Sequence, residues 1–506
     1  MIHAGSDTDL VLKPDVCIVG SGPGGSMVAS RLARAGAKVV VLEEGGHNTK
    51  EQFDMQEPRA FQRLYQDRGN RATADLSIAV LQGRSIGGGT VINWTTSYRT
   101  PDAVLEYWRK LQGSLLTPEI LKPHFEEVEE RLGIQKIDYE DTNPNNRTIY
   151  DGCKKLGWQV DTTKRNVRGC LRTGYCGMGC PVDAKQSAAL TYLPDAIAAG
   201  AEVYANCRVQ KIESNGKHAV AAVGVVLHPQ TQEATGRTIR VEPRVLVVSG
   251  GALNSPALLL RSGIDQGPVG KKTWLHPTIA VGAFYKDAIE GYYGAPQSVA
   301  SHHFAHRGEN AGFFLEAAPV HPMLSAIATP GYGAPLRGRL SRLPNLCATI
   351  SLMIDGFDEA EAGGTVTLRN DGGPKLDYPF TPRMHECFTA GMKAIAQLHL
   401  ANGALEVQTF HNDPVHIKAE SDLRNIDSRP MGPNLLAAFT AHQMGGCRMG
   451  ADPAHSVVDP QLRHHAVTNL YVVDGSVFPT ALGVNPMESI YGISSWAAGN
   501  IKAALS

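Results

Sequence analysis

Asp15-Val-Cys-Ile-Val-Gly20-Ser-Gly22-Pro-Gly-Gly25, followed one helix later by Lys38-Val-Val-Val-Leu42-Glu43, decides the fold of this chain. Val16 to Val19 is a short apolar run that reads as a buried strand. Met27 to Ala35 reads as a helix, with Leu32 and Ala33 available for packing. Lys38 to Leu42 is a second strand, closed by Glu43. Strand, G-x-G-x-x-G, helix, strand and acid within about 30 residues is the pattern of a dinucleotide-binding βαβ unit. Gly20 permits the tight turn, Gly22 lets backbone approach a pyrophosphate, and Gly25 lets the helix sit close on the strand. The free amides and dipole of the helix N-terminus favour phosphate. Glu43 is expected to accept hydrogen bonds from ribose hydroxyls and to repel a 2′-phosphate, which disfavours NADP. The motif alone leaves NAD and FAD open.

Working outward, the composition bounds the rest. The chain has 506 residues, 42% apolar and 19% charged, with 48 basic and 49 acidic side chains and a net charge of −1. That balance excludes a disordered chain and carries no polybasic footprint for nucleic acid. No run of 18 apolar residues predicts a transmembrane helix. Met1 to Lys13 does not read as a secretory signal. The 9 cysteines are sparse and odd in number, so a reduced, cytoplasmic setting is expected. Peripheral attachment to a membrane surface is compatible with these readings.

A second glycine cluster, Gly83-Arg-Ser-Ile-Gly87-Gly88-Gly89-Thr90-Val-Ile-Asn93, lies beyond the βαβ unit. By itself it reads equally as a loop or as backbone laid against a flat or charged ligand. It resembles the first signature of the glucose–methanol–choline (GMC) flavin oxidoreductases. Gly251-Ala-Leu-Asn254-Ser255-Pro256 through Ile264 resembles their second signature. His442-Gln-Met-Gly-Gly-Cys447-Arg-Met-Gly450 and Leu470-Tyr-Val-Val-Asp474-Gly475-Ser476 through Gly483-Val-Asn485-Pro486-Met487 resemble their C-terminal active-site block. Within the family, these endings look most like the long-chain fatty alcohol oxidases, their bacterial relatives and the bacterial cholesterol oxidases.

The resemblance implies an α/β fold: a Rossmann-like FAD-binding domain on a discontinuous chain (12–100, 190–275 and 440–506), a helical and loop cover (101–189), and a substrate domain built on an antiparallel sheet (276–439). Arg244-Val-Leu-Val-Val-Ser249 and Asn469-Leu-Tyr-Val-Val-Asp474 read as further buried strands. Pro101 to Leu132 reads as helical, with the stripe Leu121, Phe125, Val128 and Leu132; Glu126, Glu127, Glu129 and Glu130 then form a solvated face. Gly364 to Tyr378 reads as a hairpin.

It also implies FAD as cofactor and oxidation of an alcohol to an aldehyde or ketone. The hydroxyl proton goes to a base and the α-hydrogen leaves as hydride toward flavin N5. His442 is the implied base and Asn485 the holder of the substrate oxygen. Asn485-Pro486-Met487-Glu488 is also a good helix start, with Asn at N-cap and Pro at N1, so a capping role competes for that side chain. Gly88, Gly89, Thr90, Asn93, Val209, Asp474, Gly475, Pro486 and Met487 are the other implied cofactor contacts. Ile92 stands where some members attach FAD through a His, so a noncovalent flavin is expected.

No metal is expected. Cys170, Cys176 and Cys180 supply only three local thiols and read as buried or loop cysteines. His302-His303 and His464-His465 read as surface or loop pairs, and His411 and His416 as candidates to border a substrate pocket. The expected substrate is an alcohol on an apolar body (fatty, terpenoid, steroid or aromatic), with oxygen or another acceptor. A non-redox lyase or decarboxylase on the same scaffold, and a flavin-binding protein without turnover, are the alternatives.

Overall fold

The computed structural model describes residues 1–505. Six parallel strands form one sheet, in the order Ile2–His3, Glu202–Tyr204, Val39–Leu42, Val16–Val19, Val245–Val248 and Leu470–Val472. Val39–Leu42 and Val245–Val248 are buried at every position, the continuous apolar pattern of strands covered on both faces. The helix after the first glycine turn spans Pro23–Arg34. It starts earlier than the expected Met27 because Pro23 sits in its first turn, where a missing N–H has no consequence. It packs against the C-terminal helix Met487–Leu505 and the helix Tyr192–Ala198.

A second, nine-stranded sheet is mostly antiparallel. Its central strands are Thr278–Phe284, Leu346–Met353 and Phe313–Ala317, and Ala438–Thr440 pairs onto the first of these. Side chains alternate across it. Phe313, Leu315 and Cys347 join a core with the helix Pro382–Ala401, whereas Phe314, Ile350 and Leu352 turn to the opposite face. Glu316 shares the parity of Phe314, so the pleat directs it to that opposite face. Thr365–Leu368 and Pro374–Asp377 pair as the expected hairpin.

The expected single helical stretch from 101 to 132 is two helices, Asp102–Gln112 and Pro118–Leu132. Gly113 ends the first with φ of 65°, and Thr117 caps the second by accepting from the Ile120 amide. Leu121, Phe125, Val128 and Leu132 are buried as the stripe requires. Its acidic face is not simply solvated: Glu129 accepts from Arg99 at 2.6 Å and Lys164 at 3.1 Å, and Glu127 pairs with Arg31.

Candidate active site

The two glycine clusters are two turns pressed face to face. Gly20 has φ of 103°, and a Cβ there would lie 2.3 Å from the Ser249 carbonyl oxygen. A Cβ on Gly25 would lie 2.0 Å from the Gly20 oxygen. A Cβ on Gly88 would lie 2.8 Å from the Gly22 Cα. Two positions of these clusters differ in kind: a Cβ on Gly22 meets nothing nearer than 4.0 Å and one on Gly89 nothing at all within that range. Gly20, Gly25 and Gly88 are therefore glycine for the backbone's own packing, and Gly22 and Gly89 leave open space.

That space belongs to a cavity of about 820 Å³. Gly20, Gly22, Glu43, Gly88, Gly89, Thr90, Asn93, Val209, His442, Asp474, Gly475, Asn485, Pro486 and Met487 all line it; Gly25 lies beneath the turn and does not. Several of these side chains also brace the backbone. Glu43 accepts from the Ser21 amide at 2.9 Å and hydroxyl at 2.7 Å through Oε2, and from the Gly45 amide at 2.8 Å through Oε1. Oε1 retains an acceptor direction for a ribose hydroxyl. Burial pushes the Glu43 carboxyl up, against those hydrogen bonds. Asp474 accepts from the amides of Gly251 and Ser476 and from the Ser255 hydroxyl, so it ties together two helix starts. Thr90 donates to Gly87 and accepts from Ala188, holding its own turn. The Val209 carbonyl accepts from Arg261 at 2.8 Å. Lys185 donates to the carbonyls of Val91, Asn93 and Cys176, bracing the second glycine turn from behind; burial lowers its pKa to about 8.

His442 and Asn485 stand together where this polar cradle meets an apolar wall of Ala280, Ala348, Ile350, Leu352, Phe410 and Phe439. His442 Nε2 is 3.4 Å from Asn485 Nδ2. Asn485 Nδ2 donates to Glu316 Oε2 at 3.5 Å, and Asn485 Oδ1 has no partner among the described residues. The amide is thus turned to the site and takes no helix N–H. The C-terminal helix begins at Met487, and its first bond runs from Ile490 to the Pro486 carbonyl. This decides against the capping reading of Asn485.

Two site residues escaped the sequence. His276 Nδ1 is 3.0 Å from His442 Nδ1, and the Gly483 amide donates to His276 Nε2 at 3.1 Å. Because Nε2 accepts, neutral His276 carries its proton on Nδ1 and donates it to His442. His442 then carries its own proton on Nε2, so its 3.4 Å approach to Asn485 Nδ2 is not a hydrogen bond but sets two donors side by side, both free to meet one oxygen in the cavity. The second is Glu316, fully buried, with Oε1 unpartnered; burial pushes its carboxyl up to about 8. Burial also lowers His442 to about 4 and His276 well below the usual imidazole range, the latter helped by His442 and His302.

The remaining candidates lie outside the cradle: the His302-His303 pair and the three thiols sit in loops and turns as expected, whereas the readings of His464, His411 and His416 are corrected. His464 is buried, and its Nδ1 accepts from the amides of Ala466 and Val467. His302 is half-buried and stacked on Phe314 with centroids 5.3 Å apart. His411 is buried beside the cavity wall without lining it, and His416 is exposed and paired to Glu406. Cys170, Cys176 and Cys180 are free, half-buried thiols.

The comparisons with known proteins follow the same outline. The GMC oxidoreductase family models match residues 61–278 and 360–494, and an FAD binding domain model matches residues 13–69. An uncharacterized GMC-type oxidoreductase of Mycobacterium tuberculosis is 34% identical over 97% of this chain and 76% of its own length. This chain is a GMC oxidoreductase. Among its GMC relatives is a long-chain-alcohol oxidase of Arabidopsis thaliana, 30% identical over 97% of this chain and 68% of that protein. The GMC fold is shared with pyridoxine 4-oxidase from Mesorbium loti, at a TM-score of 0.72 and 19% identity over 96% of this chain and 98% of that one. The cofactor of this GMC chain is FAD. The cradle fits it: two side-chain-free glycine positions, an uncapped helix N-terminus at Gly22 and the unpartnered Asn93 Oδ1 all face the cavity. No helix among the described residues is long and apolar enough to cross a membrane.

Proposed function

We propose that this chain oxidises an alcohol carried on an apolar body, fatty, terpenoid, steroid or aromatic, to an aldehyde or ketone. The observation that carries the reading is the convergence of His442 Nε2 and Asn485 Nδ2 at the junction of a dinucleotide cradle and an apolar wall. The long-chain-alcohol oxidases among its relatives support the substrate class. The same reading assigns 12–100, 190–275 and 440–506 to the cofactor and 276–439 to the substrate.

FAD, when bound, supplies a two-electron acceptor for the hydride of the alcohol carbon. The chain's own residues do the rest. Asn485 Nδ2 and His442 Nε2 hold the substrate oxygen, which fixes the carbon that must react. The apolar wall excludes water from it. His442 takes the hydroxyl proton when its Nε2 is free of its own. That tautomer requires His276 to give up its bond from Gly483, at about 1–3 kcal/mol. The resulting factor of roughly 5 to 150 is small beside the million-fold or greater acceleration of a typical enzyme.

Anaerobic addition of an alcohol panel tests the reading. Bleaching of the yellow protein by long or polycyclic alcohols is expected, and an unbleached flavin across the whole panel would reject redox chemistry. Admission of oxygen then tells an oxidase from a dehydrogenase. With Ile92 in the position of an attachment residue, we propose that FAD is held noncovalently; acid precipitation should leave the colour in the supernatant.

A further inference from the structure

The apolar cavity wall ends at a segment that the reaction does not use. Helix Pro322–Ala328 is tied down at its start, where the amides of Met323 and Leu324 donate to Glu57 at 2.6 and 3.0 Å. Its inner side chains Met323 and Leu324 pack beside Phe61 and Tyr65. Leu324, Ile327 and Ala328 line the cavity. Ile327 is also 73% exposed, so it sits at the cavity's mouth. Helix Gly333–Leu340 packs on the first helix and buries none of its own residues. Tyr332, between the two, is 88% exposed. Tyr332 and Ile327 are the two most exposed large apolar side chains among the described residues.

The segment is also basic. From 317 to 354 there is no Asp or Glu, and Arg337, Arg339 and Arg342 are its charged side chains, in a chain that is otherwise balanced. Arg342 pairs with Glu406 at 3.0 Å, and Arg339 donates to the Pro330 carbonyl. Arg337 is exposed, and its guanidinium has no partner among the described residues.

We propose that this two-helix segment docks on an anionic lipid surface and opens the cavity toward the acyl layer, an inference that rests on the substrate being an alcohol with an apolar body. Each feature suits that occupant. Tyr332 has the amphipathic ring favoured at the headgroup level. Ile327 offers an aliphatic side chain that gains by leaving water. The unpaired Arg337 meets lipid phosphate or carboxylate, and the absence of acids removes the repulsion that would oppose it. A second copy of the chain fits less well, because a two-fold contact of this segment with itself brings no acid to Arg337. An apolar alcohol is concentrated in the acyl layer, so a mouth held there shortens its passage through water.

The FAD-loaded full chain is sedimented with vesicles of phosphatidylcholine alone and of phosphatidylcholine with phosphatidylserine. Sedimentation with the anionic vesicles, weakened by high salt, is expected. Arg337→Glu should lower the vesicle partition at least about fivefold, the worth of one basic residue at an anionic surface. Tyr332→Asp should lower it further; Asp is a good N-cap for the helix that begins there, so folding is protected. Both variants should keep the wild-type turnover of a short water-soluble alcohol and lose turnover of a long alcohol presented in vesicles. Wild-type protein left in the supernatant with anionic vesicles overturns the proposal. So do unchanged partition of both variants, or a lipid-free dimer that Tyr332→Asp dissociates. Vesicle binding without bleaching by any alcohol would instead remove the functional reading and, with it, the proposed passage of substrate.

Discussion

Replacing Glu316 by Gln isolates the least expected group of the site. The carboxyl is fully buried, and its environment raises its pKa from 4.5 to about 8, chiefly by desolvation of the charged form. Below the unfolded value both states hold the proton and no penalty exists. As pH rises, the unfolded chain releases that proton while the folded protein keeps it, so stability falls through the window from about 4.5 to about 8. The slope approaches 1.4 kcal/mol per pH unit, for a total of roughly 5 kcal/mol. The carboxamide of the Glu316→Gln variant keeps the shape and an acceptor for Asn485 but does not ionise. The thermal midpoint of Glu316→Gln minus that of wild type should therefore rise steadily across this window. Infrared difference spectra between the two proteins give a direct check, through the carbonyl stretch of a protonated carboxyl present near neutral pH and lost above about 8. Glu488 and Glu361, also raised by burial, cancel in that difference. Parallel stability curves, or a carboxylate already ionised at pH 6, would refute the reasoning.

His442→Ala should slow flavin reduction by about two to four orders of magnitude while FAD stays bound, as loss of a positioned base does; a loss below tenfold would reject that role. In the Glu316→Gln background, where no carboxyl titrates beside the base, reduction by alcohol should stay constant as pH falls through the ordinary imidazole range and drop only near 4, because burial lowers His442 to that value. Stopped-flow rates with a midpoint near 6.5 would contradict this. Gly22→Ala and Gly25→Ala separate the two kinds of glycine. The first meets open space and should fold with weakened FAD binding, whereas the second collides with the Gly20 oxygen and should cost the fold itself. Circular dichroism with flavin titration reads both.

The parallel sheet and the first cradle were legible because their signals are local. Val16 to Val19, the glycine turn and Glu43 lie within one short stretch, and each residue's constraint comes from its near neighbours. The C-terminal motif likewise named both His442 and Asn485, although only the geometry removed the competing cap. Glu316 and His276 were not legible for a physical reason. Phe313-Phe-Leu-Glu-Ala317 reads as a buried strand, and the lone acid within it was the one available signal. Which face that acid takes depends on pairing with Leu346–Met353, a contact that no local pattern encodes. His276 gains its meaning from the Gly483 amide, far along the chain. The break at Gly113 shows the converse. The glycine was visible, but the apolar stripe beyond it ran on in helical register and hid the stop.

Glu316 also has a consequence for the rate. Its Oε2 and His442 Nε2 both contact Asn485 Nδ2, at 3.5 and 3.4 Å, so the two groups are no more than about 7 Å apart. In the resting site both are neutral near pH 7, which suits an apolar substrate. Once His442 holds the hydroxyl proton, the new cation stabilises an ionised carboxylate at that separation by about 2 kcal/mol at an effective dielectric of 20. That is between one and two pK units, enough to carry Glu316 from about 8 to the neighbourhood of neutrality. By reciprocity an ionised Glu316 stabilises the imidazolium by the same amount. Glu316→Gln removes this response, and should slow flavin reduction by up to about thirtyfold at pH 8 while leaving the substrate concentration for half-maximal rate unchanged. The deficit should shrink as pH falls, because wild-type Glu316 then stays protonated and resembles the variant. A rate loss of the same size at pH 6 and pH 8 would mean that the carboxyl merely holds Asn485 in place.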